Sequence, residues 1–128
     1  MSDEEIQRIL YVEDEPDIQA VARLALEQVG MFTLEVCSSG QEALDKAAEF
    51  SPHLILLDVM MPEMDGPTTL KRLRAIDGLE ETPTIFMTAR VQPHEIKEYI
   101  EMGAVDVIAK PFDPMTLSNQ IREIWDKL

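Results

Sequence analysis

Apolar residues along this chain fall into short unbroken runs, separated by longer stretches in which they recur every three or four positions. Ile9-Leu10-Tyr11-Val12 and Leu54-Ile55-Leu56-Leu57 are runs of four, and Thr84-Ile85-Phe86-Met87 and residues 104–109 resemble them. Runs this short and continuous predict strands buried on both faces, as in parallel sheets. Residues 32–37 alternate more weakly and read as one further strand. The stretches between carry helical spacing. Pro16 suits a first helical turn, with Ile18, Val21, Ala22, Ala25 and Val29 on one face and Gly30 as the stop. Ser38 or Ser39 caps a helix bearing Ala43, Leu44, Ala47 and Ala48, which Ser51-Pro52 breaks. After Gly66 a third helix runs through Leu70, Leu73 and Ile76 and ends near Asp77-Gly78, and residues 79–83 are polar and turn-like. Pro93 opens a helix containing Ile96 and Ile100 that Gly103 closes. Asp113 caps the last helix, with Leu117, Ile121, Ile124, Trp125 and Leu128 facing inward.

Strand and helix thus alternate five times, which predicts an α/β fold: a five-stranded parallel sheet with right-handed crossovers and helices on both faces. No linker, low-complexity tract or internal repeat interrupts residues 1–128, so one domain is expected. Met1 and a last helix with no linker after it read as a stand-alone protein. Polar groups stand at the strands' carboxyl ends: Glu13 and Asp14 after the first, Asp58 after the third, Thr88 after the fourth and Lys110 after the fifth. If the strand order is 2-1-3-4-5, the first and third strands meet at the topological switch point, where a crevice opens. The acids, the hydroxyl and the ammonium then converge on one small volume.

Electrostatics indicates what such a volume can hold. Carboxylates about 4 Å apart repel by roughly 4 kcal/mol per pair at an effective dielectric near 20. One lysine does not offset three acids, so the cluster calls for a cation. Oxygen ligands with an incomplete protein shell favour Mg²⁺, which keeps waters and shares phosphate oxygens. A phosphoryl group on Asp58 would be held by that ion, by Lys110 and by the Thr88 hydroxyl, the positioning and charge-neutralising parts that phosphoryl transfer requires. Asp58 is central, and aspartate forms acyl phosphates without a general base.

Composition narrows the field further. The formal net charge of −14 opposes binding to nucleic acid or anionic membrane, both of which need basic surface. No apolar stretch approaches the roughly 20 residues of a membrane span, and the acidic N-terminus has the wrong sign for a signal peptide. With the lone Cys37 unable to form an internal disulfide, a reducing, cytoplasmic setting is expected. His53 and His94 lack clustered partners and read as capping or solvated rather than zinc-binding. Met60, Met61 and Met64 fill gaps more often than they make a contact surface. Trp125 is expected on the sheet, and the acidic start, residues 3–5, frayed and solvated.

Glu13-Asp14, the Asp58-x-x-Met61-Pro62-x-Met64-Asp65-Gly66 loop, Thr88-Ala89 and Lys110-Pro111-Phe112 together resemble the receiver domain of bacterial two-component response regulators, across essentially the whole chain. The resemblance implies a flavodoxin-like fold and phosphorylation of Asp58 by a phosphohistidine on a sensor histidine kinase or histidine phosphotransfer protein, with small acyl phosphates as further donors. It implies Mg²⁺ bound by Asp14, Asp58 and the backbone carbonyl of Met60, with Glu13 acting mostly through a metal-bound water. Thr88 would move toward the phosphoryl group, Lys110 would pair with it, and the Lys110-Pro111 bond would be cis. The domain would be a regulatory phosphoacceptor rather than an enzyme, binding a downstream protein and forming at most a weak homodimer through the fourth and fifth helices. One departure bears on switching: the inward-turning aromatic that many receivers carry is Val107 here. A second expectation concerns lifetime, since Met60 and Arg90, two residues beyond Asp58 and Thr88, are placed to limit attacking water. Two other classes compete. A haloacid-dehalogenase-type phosphatase wants a second acid where Met60 stands. A flavodoxin-like cofactor carrier wants a Gly/Ser/Thr-rich loop where Glu13-Asp14-Glu15-Pro16-Asp17 would repel phosphate.

Overall fold

The computed structural model describes residues 5–128. The expectation for the acidic start therefore lies mostly outside the described residues, and Glu5 is exposed. Five strands, β1 (Arg8–Val12), β2 (Thr33–Cys37), β3 (Leu54–Asp58), β4 (Thr84–Thr88) and β5 (Asp106–Ala109), form one sheet in the order β2-β1-β3-β4-β5. Every neighbouring pair is parallel. The helices are α1 (Pro16–Arg23), α2 (Gly40–Phe50), α3 (Gly66–Leu73), α4 (Pro93–Glu101) and α5 (Leu117–Asp126).

The side-chain period of two sorts each strand between two apolar layers. Ile9, Tyr11, Leu54 and Leu56 join Ala22, Leu26, Leu117, Ile121 and Trp125 in the layer under α1 and α5. Leu10, Val12, Ile55 and Leu57 join Ala43, Ala47, Leu70, Leu73 and Tyr99 in the layer under α2, α3 and α4. Burial on both faces explains why the central strands read as unbroken apolar runs. The edge strand β2 is only half covered at Leu34, Glu35 and Val36, so its pattern is weaker.

Several expectations change at the helices. The first is not α-helical to Gly30: Leu24–Val29 is π-helical, with the Gly30 amide bonded to the Ala25 carbonyl at 3.0 Å. That i to i+5 turn places Gly30, not Val29, over Ala25; Val29 is exposed and Leu26 buried instead, and Val21, earlier in α1, is also exposed. Gly30 has φ −86°, so it is not a left-handed stop, and the positive φ of 62° falls on Met31. Gly30 is there for space, because a Cβ would collide with the Ser118 side chain. Ser118 donates to the Ala25 carbonyl at 2.9 Å, and Arg122 donates to that of Gly30 at 2.7 Å.

Ser39 caps α2, accepting from the Glu42 amide at 3.1 Å, although Ala48 turns outward. Asp65 caps α3, which ends at Leu73, short of Ile76. The buried contact of α4 is Tyr99, edge-on to Phe86 with ring centroids 5.4 Å apart, while Ile100 is exposed. Asp113 does not cap α5 itself. Its carboxylate accepts from the Met115 amide in the turn before Thr116, the residue that precedes the helix. Trp125 is buried as expected, and Leu128 is exposed. His53 is a backbone cap: its Nδ1 accepts from the Gln7 and Arg8 amides, both at 3.1 Å, at the start of β1.

Candidate functional site

The strand order places the ends of β1 and β3 side by side, and the pairing runs on past each strand. The Glu13 amide donates to the Cys37 carbonyl at 2.9 Å, that of Val59 to Met87 at 3.1 Å and that of Lys110 to Thr88 at 2.9 Å. These bonds fix the residues immediately beyond the strands as firmly as the strands themselves. Gly66 tightens the β3–α3 turn. Its amide bonds the Val59 carbonyl at 2.8 Å, and a Cβ there would lie 2.5 Å from the Asp58 carbonyl oxygen.

Oxygens of Glu13, Asp14 and Asp58 all lie within 4.8 Å of one another. Lys110 Nζ donates to Glu13 Oε1 at 2.9 Å and to Asp58 Oδ1 at 3.2 Å. Glu13 is fully buried and Asp58 nearly so, whereas Asp14 is half-buried and open to solvent. Burial raises the carboxyls of Glu13 and Asp58 above their ordinary range, against the pull of Lys110. For Lys110, burial alone acts downward, but the two carboxylates outweigh it and hold the ammonium above its usual value. Three carboxylates against one ammonium leave about two negative charges in a small volume. Hard oxygen donors, an uncompensated double charge and one acid facing solvent fit a divalent cation that retains part of its water shell.

Of the expected site residues, the structure brings Glu13, Asp14, Asp58 and Lys110 into this cluster. Thr88 is buried at the end of β4, and its hydroxyl accepts from the Arg90 amide at 3.0 Å. It is thus engaged with its own loop, and no described hydrogen bond joins it to Asp58. Met60 follows β3 and is 65% exposed, and its backbone amide favours the charged form of Asp58. Arg90 is exposed, and Val107 is half-buried beside the layer that holds Phe86 and Tyr99. The Lys110-Pro111 bond is cis.

Two neighbours escaped the sequence reading. Gln19 on α1 donates from its amide to the Glu13 carbonyl and to Ser38 Oγ. Tyr11 lies on β1 two residues before Glu13, which follows the strand, and the charges of Glu13 and Asp58 both bear on its phenol. The strand period could have exposed Tyr11, but it passed as one of four apolar residues.

The sequence pattern of the response regulator receiver domain matches residues 9–122. This chain belongs to that family. The receiver is 41% identical over 114 residues to the uncharacterized transcriptional regulatory protein YkoG of Bacillus subtilis, covering 89% of this chain and 49% of YkoG. It is 35% identical over 116 residues to the DNA-binding response regulator MtrA of Mycolicibacterium smegmatis, covering 91% and 49%. It therefore spans about half the length of these curated relatives. Among solved structures, chemotaxis protein CheY4 of Vibrio cholerae superposes with a TM-score of 0.85 at 29% identity, covering 94% of the receiver and 99% of CheY4. A response regulator from Desulfuromonas acetoxidans gives 0.83 at 30% identity, covering 95% and 98%. The fold, strand order and family expectations are borne out, and the haloacid-dehalogenase alternative has no support. Among the described residues no helix is long and apolar enough to cross a membrane.

Proposed function

We propose that residues 1–128 form a single phosphoacceptor domain, acting in the cytoplasm, in which Asp58 takes a phosphoryl group from a phosphohistidine donor on a sensor kinase or phosphotransfer protein. The observation that carries this reading is the bridge from Lys110 to both Glu13 and Asp58 inside a cluster with charge left over. A carboxylate oxygen of Asp58 attacks phosphorus, the donor's bond to phosphorus breaks, and an acyl phosphate remains on the side chain. Lys110 is already within reach of the Asp58 oxygen, so it pairs with the incoming charge without crossing the site. Thr88 reaches the phosphoryl group by giving up the Arg90 amide. Asp14, Asp58 and the Met60 carbonyl would hold Mg²⁺, with Glu13 acting through water, and the ion would supply positive charge for the phosphoryl oxygens. The loaded domain binds a downstream protein differently from the free one. A weak dimer through α4 and α5 is compatible with that role.

Acetyl phosphate with Mg²⁺, followed by intact mass, tests the reading. One phosphoryl group per wild-type chain is expected, with none on Asp58→Asn. Labelling of Asp58→Asn at the wild-type rate, or a wild type that ignores every donor, overturns it. Multiple turnover on a phosphate ester would return the phosphatase, and a bound yellow cofactor the carrier.

A further inference from the structure

Among the described residues, the Tyr11 hydroxyl is the only buried side-chain oxygen or nitrogen with no hydrogen-bond partner. The residue is fully buried, so the position excludes solvent as completely as any in the core. Leaving a phenol unpaired there costs free energy that phenylalanine would not incur. The hydroxyl is not remote from polar groups. Tyr11 pairs in register with Leu56, so by the period of two it faces the same way as Asp58 at the end of β3 and as Glu13, which extends the pairing of β1 just beyond its end. Burial, and after it the charges of Glu13 and Asp58, raise the phenol above its ordinary value. The contact is nevertheless open, and no acceptor meets the phenol in hydrogen-bond geometry.

Glu13 explains why such a donor is held in reserve. Its Oε1 is taken by Lys110 at 2.9 Å, and its Oε2 has only the Glu15 amide at 3.3 Å. Lys110 also serves Asp58. Once Asp58 carries a phosphoryl group, the ammonium is drawn toward the larger charge, and a fully buried carboxylate loses its main partner. We propose that Tyr11 is a positioning residue of the phosphorylation site: its hydroxyl donates to the Glu13 carboxylate when Lys110 turns to Asp58. That bond keeps Glu13 facing the shared volume. The inference rests on the phosphoacceptor reading above.

The chain has two tyrosines, Tyr11 and Tyr99, so Tyr99→Phe leaves Tyr11 as the sole reporter. In that variant, ultraviolet resonance Raman spectra recorded with Mg²⁺ alone and with Mg²⁺ plus beryllofluoride should move from a weakly bonded phenol to a strong donor, and Asp58→Asn should abolish the change. Tyr11→Phe should weaken beryllofluoride binding roughly tenfold, the size of one hydrogen bond to a charged group. It should not lower the melting temperature of the unloaded domain. In a Glu13→Gln background the same substitution should lose most of its effect. If wild type binds beryllofluoride while the Tyr11 spectrum stays unchanged, or if Tyr11→Phe binds it as wild type does, the positioning role falls and the phosphoacceptor reading stands. A wild type that does not bind it overturns both.

Discussion

Lys110 serves two buried carboxylates at once, Glu13 at 2.9 Å and Asp58 at 3.2 Å, with its own side chain 18% exposed. Removing one partner from a buried charge pair typically costs 3–5 kcal/mol, because the other charge is left uncompensated. Lys110→Met should therefore destabilise the metal-free domain by about that much in urea unfolding, and Mg²⁺ should recover part of the loss. If Met60 limits attacking water, it does so by cover rather than charge. Its side chain is exposed beside Asp58, and Met60→Asn should shorten the acyl-phosphate lifetime measured by loss of label; an unchanged or longer lifetime removes Met60 from that role. Cys37 is buried, which pushes its thiol up to about 12, so alkylation at neutral pH should proceed only in denaturant. At this scale the sequence was informative where a polar residue ended an apolar run, as at Asp58 and Lys110. It was silent where a polar atom sat inside one, since Tyr11 reads as an apolar strand position until its hydroxyl has neighbours.

At the scale of elements, strands were easier to read than helices because β1, β3 and β4 are covered on both faces and leave no ambiguity of period. The π-helical turn after α1 could not be foreseen from spacing, because its cause lies in α5. Ser118 bonds the Ala25 carbonyl and fills the space above Gly30, two contacts set by residues 93 positions apart or nearly so. Ser118→Ala removes one of two donors to that carbonyl, which keeps the Gly30 amide, so thermal unfolding should show a loss of about 0.5–1.5 kcal/mol. Gly30→Ala has no room beside Ser118 and should cost about 1–3 kcal/mol through overpacking. The double variant should recover part of the loss, because removing the hydroxyl relieves the tightest contact while the Cβ at 118 and Phe32 stay within 3.0 Å of the new methyl. A double variant no more stable than Gly30→Ala alone would show that the Ser118 hydroxyl is not what excludes a side chain at Gly30. The Val107 departure belongs here too. An aliphatic residue on β5 packs beside the layer of Phe86 and Tyr99, so if the proposed movement of Thr88 is passed to α4, it travels through the loop rather than a large rotamer change.

For the whole molecule, a net charge of −14 and a buried acid cluster make the folded state sensitive to counter-charge. A cation bound only by the folded form stabilises it by about 2.7 kcal/mol at a hundred times its dissociation constant. Mg²⁺ should raise the melting temperature, and Asp14→Asn or Asp58→Asn should blunt the rise. Alkaline pH works the other way. The folded chain keeps protons on Cys37 and Tyr11 that the unfolded chain releases from pH 9 to 10 upward, so folding loses ground as those groups ionise only when unfolded. Lys110 adds the same sign, because its stabilising pairs persist below the ordinary lysine value and vanish as pH passes its raised one. Urea midpoints should fall steadily between pH 8 and about pH 11.

Glu13 and Lys110 are 97 residues apart in the chain, and β5, which delivers the ammonium, is the sheet's last strand. On the ribosome, the acids emerge long before the one cation that makes their neighbourhood tolerable. An interrupted product therefore exposes a half-built pocket with every negative group present and its counter-ion missing. The pocket is therefore completed only after translation has passed Lys110.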